Sequence, residues 1–252
     1  MTIYHHDTDS LVIIPTYNEV ENIALLIDAI FATSPTFHIL VVDDASPDGT
    51  GDVVAGLQSQ YNGKLHLLSR PQKAGLGTAY IAGFKFALAN SYQYILTMDA
   101  DFSHPIDKLQ VLYETCNQQE YDVTIGSRYV NGVNVVNWPM GRVLLSYIAN
   151  WIARYITGLP IMDLTAGYQC YKRAVLETID LGSIKSIGYS FQVEMKFLAY
   201  QYGFKLKEIP IVFTNRIRGS SKMSHHIILE AFFRIIKLKV SSLFKSFHRT
   251  LL

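Results

Sequence analysis

Two aspartates one residue apart, Asp99 and Asp101, lie in the stretch ILTMDADFSHP, residues 95–105. The apolar run Tyr94–Met98 reads as a buried strand that stops abruptly at these acids. A polar link, Pro105 and a new helix follow. In extended chain, residues i and i+2 point the same way. Two carboxylates at that spacing repel unless a cation lies between them or one takes up a proton. Hard oxygen ligands on a loop tip suit Mg²⁺ or Mn²⁺, ions that keep several waters and complete their shell with substrate phosphates. Read on their own, the same acids also fit a solvated turn, with Asp107 capping the helix beyond.

Two further groupings carry charge in useful patterns. Asn215–Lys222 is a basic loop containing Gly219 and two serines, and Arg216, Arg218 and Lys222 are its cations. Arg142 and Ser146 stand four apart on a predicted helix, so they share one face. That geometry suits an anion clamp and is equally common on solvated helix faces. A third stretch, Lys73-Ala74-Gly75-Leu76-Gly77, invites a dinucleotide-binding reading. It has Tyr80 where the third glycine belongs and follows the third strand rather than the first, so the fingerprint fails. Tight packing, or a helix N-terminus near a nucleotide, accounts for it better.

The elements that must position these residues alternate. Predicted strands are Leu11–Ile14, His38–Val42, Leu65–Ser69, Tyr94–Met98, Asp122–Gly126, Tyr168–Lys172 and Lys205–Phe213. Helical spacing fills the gaps, including Ile23 to Ile30, Thr50–Gln60, Pro105–Asn117, Met140–Thr157 and Ser190–Tyr202. Short strands alternating with helices predict an α/β fold, a Rossmann-like, mostly parallel sheet flanked by helices on both faces. The polar signals gather at the C-terminal ends of the strands, where such sheets bind ligands.

Composition supports a folded chain of 252 residues, since 49% are apolar and only 17% charged. A net charge of +1 implies no general attraction to nucleic acid. The basic residues concentrate beyond Tyr202, where ten Lys and Arg face only Glu208 and Glu230. Cys116 and Cys170 lack metal spacing and read as buried thiols of a reducing compartment. Met1–Ser10 has no signal-peptide pattern and no run of about 20 apolar residues occurs, so a cytoplasmic protein is expected. From Ser224 onward, Ile228, Phe232, Ile235, Ile236, Val240, Leu243 and Phe247 recur at helical spacing among Arg and Lys. This fits a helix lying on a membrane surface, a core helix or an oligomer face.

Eight stretches occur in order: LVIIPTYNEVENI, VVDDASPDGTGD, KAGLGTAY, MDADFSHP, GSRYVNG, TAGYQCYKR, GYSFQVEM and NRIRGSSKM. Through them, from Leu11 to Lys222, the chain resembles the family 2 glycosyltransferases of the GT-A fold. Within these it is most similar to the polyprenyl- (dolichyl-) phosphate mannosyltransferases.

The resemblance implies a catalytic domain over residues 1–222 and a basic amphipathic helix over 223–252. It implies inverting transfer of mannose from GDP-mannose to a polyprenyl phosphate, peripheral to the cytoplasmic face of a membrane. Asp99, Asp101, Arg128 and Arg216 are the implied catalytic residues. Pro15, Tyr17, Glu19, Val42 and Asp44 would hold the nucleotide together with Asp99, Ala100 and Asp101. Arg216 and Lys222 would clasp its diphosphate, and Asn215 replaces an acid common in relatives. Mg²⁺ or Mn²⁺ would sit on Asp99, Asp101 and Ser103, the last standing where some relatives offer Gln. Arg128, Arg142 and Ser146 would receive the lipid phosphate. The competing readings are a polyprenyl-phosphate glucosyltransferase or another family 2 enzyme using a UDP-sugar, and a non-catalytic nucleotide- or lipid-phosphate-binding module. A saccharide acceptor would need a base, for which Asp163 and Glu194 are the candidates.

Overall fold

The computed structural model describes residues 8–34, 36–118, 120–186, 188, 190–215, 225–244 and 247, and only the backbone of 225–231. The first half is built of βα units: β1 (Ser10–Thr16), α1 (Val20–Thr33), β2 (His38–Asp43), α2 (Thr50–Leu57), β3 (Leu65–Ser69), α3 (Leu76–Ala89), β4 (Tyr94–Thr97), α4 (Lys108–Gln118) and β5 (Val123–Ser127). The second half continues with β6 (Val135–Val136), α5 (Met140–Thr157), β7 (Gln169–Lys172), α6 (Arg173–Thr178), α7 (Ser190–Gln201), β8 (Leu206–Pro210), β9 (Phe213–Thr214) and α8 (His225–Ser242).

Seven strands form one sheet in the order β3-β2-β1-β4-β7-β5-β8, and β6 pairs with β9 in a small second sheet. Every pairing in the large sheet is parallel except those of β7, which runs antiparallel to both β4 and β5. The unbroken apolar runs follow from cores on both faces. Along β1, Val12 and Ile14 pack with Ile23, Leu26 and Ile27 of α1. Leu11 and Ile13 face the other way, toward Ala79, Tyr80 and Phe84 of α3. Helices α1, α2 and α4 thus cover one face, and α3, α5, α6, α7 and α8 contribute to the core on the other.

Several expected boundaries move for identifiable reasons. The helix expected over Thr50–Gln60 tightens into a 3₁₀ turn at Gln58–Tyr61. The strand expected over Lys205–Phe213 divides into β8, ending at Pro210, and β9, with Ile211 N still donating to Ser127 O at 3.0 Å between them. Beyond that bond, Phe213 N donates to Asn134 O at 2.9 Å, carrying the chain over to β6. The loop expected over Tyr129–Pro139 therefore contains a two-residue strand. Helix α8 places Ile235 and Leu238 in the core beside α5 and α7, and Lys239 Nζ donates to Thr157 O at the end of α5 (3.1 Å). The expected division at Lys222 falls outside the described residues, as do Arg216, Arg218 and Gly219.

The glycines of the failed dinucleotide motif are packing devices. Gly75 opens α3 at φ 97°. A Cβ on Gly77 would lie 2.5 Å from Ser186 O and 2.9 Å from the Phe191 ring. Because backbone cannot yield there, Gly77→Ala should destabilise the fold by about 1–3 kcal/mol through overpacking. Urea unfolding checks this: the midpoint should fall at constant m-value, and an unchanged midpoint would refute the close packing.

Candidate active site

The ends of β1 and β2 form one rim of the site. The turn after β1 passes through Asn18 at φ 57°, a left-handed position that Asn tolerates. Side chains of the segment after β2 secure it. Ser46 Oγ accepts from Asn18 N (3.0 Å), Thr50 Oγ1 from Glu19 N (3.0 Å) and Asp48 Oδ2 from Val20 N (3.1 Å), so α1 is capped from a neighbouring loop. Asp43 is internal scaffolding, accepting from Thr16 Oγ1 at 2.8 Å and from Ser46 Oγ at 2.6 Å. Asp44 faces the loop before α3, where it pairs with Arg70 at 2.9 Å and accepts from Ala74 N at 3.2 Å. Burial raises its carboxyl above the ordinary value, against the pull of Ala74 N–H and Arg70. Tyr17 is half-buried with Lys73 Nζ 4.0 Å above its ring. Val42 and Ala100 are buried, so what they can offer a ligand is backbone.

The acidic tip lies beyond β4. Asp101 is buried and its Oδ1 accepts from Ser103 N at 3.1 Å, which closes the turn. The Asp99 side chain keeps 39% of its exposure. Its backbone N donates to His104 Nδ1 at 3.1 Å, and the His104 ring stacks on Tyr168 with centroids 4.8 Å apart. Burial lowers the His104 pKa, outweighing the opposing influence of Asp99 and Asp101. The neutral ring therefore carries its proton on Nε2, 4.0 Å from Asp99 Oδ2. Ser103 Oγ is buried without a hydrogen-bond partner among the described residues and lines the same cavity as both acids. Two carboxylates and an orphaned hydroxyl make an all-oxygen set suited to a hard divalent cation.

A basic wall lines the same cavity, of about 220 Å³. Arg142 and Ser146 both line it from α5, as their spacing predicts. The Arg142 guanidinium lies 3.9 Å over the Trp138 ring and donates to Asn215 Oδ1 at 3.0 Å. A neutral amide in that position holds Arg142 without cancelling its charge. Tyr129 OH donates to Ser146 Oγ at 2.8 Å, leaving the serine proton for another acceptor.

Arg128 also lines the cavity, but it is engaged in a buried pair. Its backbone N and Nε donate to Asp163 Oδ2 at 3.0 and 2.7 Å, and its Nη2 to Asp163 Oδ1 at 2.6 Å. Asp163 has no exposure. Burial alone would raise its carboxyl pKa, but the Arg128 charge and hydrogen bonds overcome this and hold it below the ordinary value. Glu194 accepts from Ser186 N at 3.2 Å and does not line the cavity. Neither acid is thus placed as an open base, and Asp99 and Asp101 are the acids lining the cavity among the described residues.

The segment Asp163–Gly167 knits these parts together. Glu208 accepts from Met162 N and Asp163 N at 2.8 and 2.9 Å. Thr165 N donates to Asn150 Oδ1 of α5 at 3.2 Å, and Gly167 O accepts from Thr97 Oγ1 of β4 at 2.7 Å. Lys196, fully buried on α7, donates to Leu164 O at 3.1 Å and Ala166 O at 2.7 Å. Burial pushes its pKa down to about 7.

Of the residues singled out from sequence, Asp99, Asp101, Ser103, Arg128, Arg142 and Ser146 share the cavity. Pro15, Tyr17, Glu19 and Asp44 stand apart at the ends of the adjacent strands, about 5 Å per strand from the acidic tip. Arg216 and Lys222 lie outside the described residues. Sequence reasoning missed His104, Trp138 and Thr165, and the Arg128–Asp163 pairing. The only sequence signal among these is His104, inside the quoted acidic stretch.

Residues 11–180 match the family described as glycosyl transferase family 2. The chain is 46% identical over 226 residues to a polyprenol monophosphomannose synthase of Mycolicibacterium smegmatis, covering 90% of this chain and 85% of that one. It is 44% identical over 221 residues to an undecaprenyl-phosphate mannosyltransferase of Micrococcus luteus, covering 88% and 90%. Among solved structures, glucosyl-3-phosphoglycerate synthase of Mycobacterium tuberculosis, in complex with Mn²⁺, UDP and glucosyl-3-phosphoglycerate, superposes with a TM-score of 0.64 at 16% identity over 93% of this chain and 80% of that one. At that identity the likeness establishes the GT-A fold alone.

Breaking the buried pair should be costly. Arg128→Ala strands the Asp163 carboxylate, for an expected loss of about 3–5 kcal/mol in denaturant unfolding. The folded Asp163 pKa lies below the unfolded value of about 3.9. Its contribution is therefore complete above that unfolded value and disappears as pH falls through the lower folded one. Asp163→Asn should lose less stability on acidification than the parent does; equal slopes would contradict the assignment.

Proposed function

The chain belongs to glycosyl transferase family 2, and from that premise we propose that it is a mannosyltransferase moving mannose from GDP-mannose to a polyprenyl phosphate. The observation that carries this reading is one cavity lined by two acids and two arginines, with no further acid to act as base among its described residues. Two anionic substrates must meet in line; the acids, through a cation, suit one and the arginines the other. A phosphate monoester has its second pKa near 6, so at neutral pH it is already largely a dianion and needs no proton abstracted. The lack of an open base among the described cavity residues suits such a nucleophile and disfavours a sugar hydroxyl.

In this reading Arg142, held flat on Trp138, and the hydroxyl of Ser146 orient the attacking phosphate. Arg128 reinforces the wall from its pair with Asp163. Asp99, Asp101 and Ser103 Oγ would hold Mg²⁺ or Mn²⁺, which when bound offsets the charge of the departing diphosphate. Crystals of the M. tuberculosis synthase contain Mn²⁺ or Mg²⁺, in keeping with such a site. The neutral His104 ring fixes the tip through the Asp99 backbone. Pro15, Tyr17, Glu19 and Asp44 take the nucleoside, and Arg216 and Lys222 are assigned to the diphosphate by the family resemblance. Attack opposite the leaving group inverts the anomeric centre.

A prenyl acceptor resides in a bilayer, while no helix among the described residues is long and apolar enough to cross one. We assign the contact to α5 and α8. Met140, Leu144, Ile148, Trp151 and Tyr155 form an exposed stripe on α5, and Phe233, Val240, Leu243 and Phe244 are exposed on or just beyond α8. Arg and Lys interleave with them, as suits an anionic membrane surface. The cavity reaches this side through Leu145, Ala149, Ile152 and Phe232. The protein would then work peripherally on the cytoplasmic face.

Nucleotide release tests the chemistry. The protein is supplied with undecaprenyl phosphate and Mg²⁺ or Mn²⁺, and separately with GDP-mannose, UDP-glucose or UDP-N-acetylglucosamine. GDP release that needs both lipid and metal, with mannose recovered on the lipid, is expected. Release from a UDP-sugar instead would reassign the donor, and release from none would leave a binding module. Asp101→Ala should abolish metal-dependent turnover. Arg142→Ala should raise the apparent KM for lipid more than that for nucleotide sugar; an equal rise would remove Arg142 from the acceptor site. Flotation with anionic liposomes should weaken for Trp151→Ser/Tyr155→Ser and for Phe233→Ser/Phe244→Ser, and unchanged binding would discard the membrane face.

A further inference from the structure

We infer that Gln192 reads the transferred sugar, its side-chain N–H₂ donating to a hydroxyl of the hexose held between the acidic tip and Arg142. The stretch containing it, GYSFQVEM, has no role in the mechanism above. Gln192 lies near the start of α7, buried, and it lines the cavity. Its Nε2 is enclosed yet makes no hydrogen bond among the described residues.

The direction of that donor is set by a chain of partners. Ala166 O is a backbone carbonyl and can only accept, so the side-chain group of Gln169 facing it at 3.1 Å must be its Nε2. The opposite oxygen of Gln169 accepts from Tyr171 OH at 2.7 Å. The same Gln169 Nε2 also donates to Gln192 Oε1 at 2.5 Å. With its oxygen engaged, Gln192 must turn its N–H₂ away from Gln169. Lys196 Nζ, on the next turn of α7, binds Ala166 O at 2.7 Å and Gln192 O at 3.4 Å, which holds both ends of this relay.

The donor comes close to the reacting end of the site. A Cβ built on Gly167 would sit 3.3 Å from Gln192 Nε2 and 3.7 Å from Asp99 Oδ1, so the amide and the carboxylate flank the same bare glycine. Phosphate oxygens in the cavity would have charged or metal partners. A neutral amide beside Asp99 matches an uncharged hydroxyl, and the hexose, bonded to the diphosphate that the acidic tip would serve, must lie next to that tip. A site built to bond a hydroxyl rejects a sugar lacking it, because the buried amide is then left unpaired.

This assignment rests on the mannosyltransferase reading, and the test separates the two. Gln192→Met and Gln192→Glu are compared with the parent by calorimetric binding of GDP, which lacks the sugar, and by kcat/KM with GDP-mannose and its 2-, 3-, 4- and 6-deoxy forms. GDP affinity should stay within about twofold, while kcat/KM for GDP-mannose falls about 100-fold in both variants. One deoxy donor, poor with the parent, should be used by the variants as well as the intact sugar. Gln192→Glu keeps the oxygen that Gln169 needs, so it guards against a fold defect in Gln192→Met. Parental kcat/KM in Gln192→Glu, equal loss of GDP binding, or unchanged discrimination among the deoxy donors would overturn the role of Gln192. A parent enzyme inactive with every donor would instead overturn the transferase reading beneath it.

Discussion

Three N–H groups of one arginine converge on one carboxylate that water does not reach, and the site is built outward from that pair. Removing both charges from water is expensive, so a buried ion pair is poor evidence of added stability. What Arg128 and Asp163 supply is position. They fix the end of β5 against the segment that leads into β7, with Glu208 gripping the backbone at its start. From there one short stretch of chain touches α5 through Thr165, α7 through Ala166 and β4 through Gly167. Few side chains thereby set the spacing between the acidic tip and the basic wall.

Opposite charges line one cavity, Asp99 and Asp101 with Arg128 and Arg142. Arg142 lies over the Trp138 ring and donates to the uncharged Asn215. Asn at this position, which from sequence reads as a local loss of charge, gives Arg142 a hydrogen-bond partner that adds no negative charge.

Legibility in the sequence tracked how local each cause is. The acidic tip was readable because an apolar run ending in two acids is a local pattern, and the shared face of Arg142 and Ser146 follows from helix pitch. The direction of β7 was not readable, since Gln169–Lys172 looks the same whichever way it enters a sheet. Arg128 resembled an available cation because its partner is 35 residues away. Gln192 lies in one of the quoted stretches, yet nothing in it shows where the amide points, because that direction is decided by Gln169 and a carbonyl in another element. Buried polar partnerships are tertiary facts, and periodicity carries no trace of them.

The reversed strand has a consequence for how the chain acquires its shape. Strands β1, β2 and β3 pair in sequence order through single βα crossovers, contacts whose loop-closure cost is low, whereas β4 joins β1 across the whole of that unit. Strand β7 must span the gap between β4 and β5 from far along the sequence, pairing Thr97 with Gln169. Until it arrives, β4 is an edge strand with unpaired backbone groups leading to its two acids. We therefore expect amide protection in β1 and β2 to precede that in β7 during refolding, which pulsed hydrogen exchange would resolve; simultaneous protection would contradict this order. On that order the rim at the ends of β1 and β2 is assembled first, and the strand that separates β4 from β5 enters the sheet later.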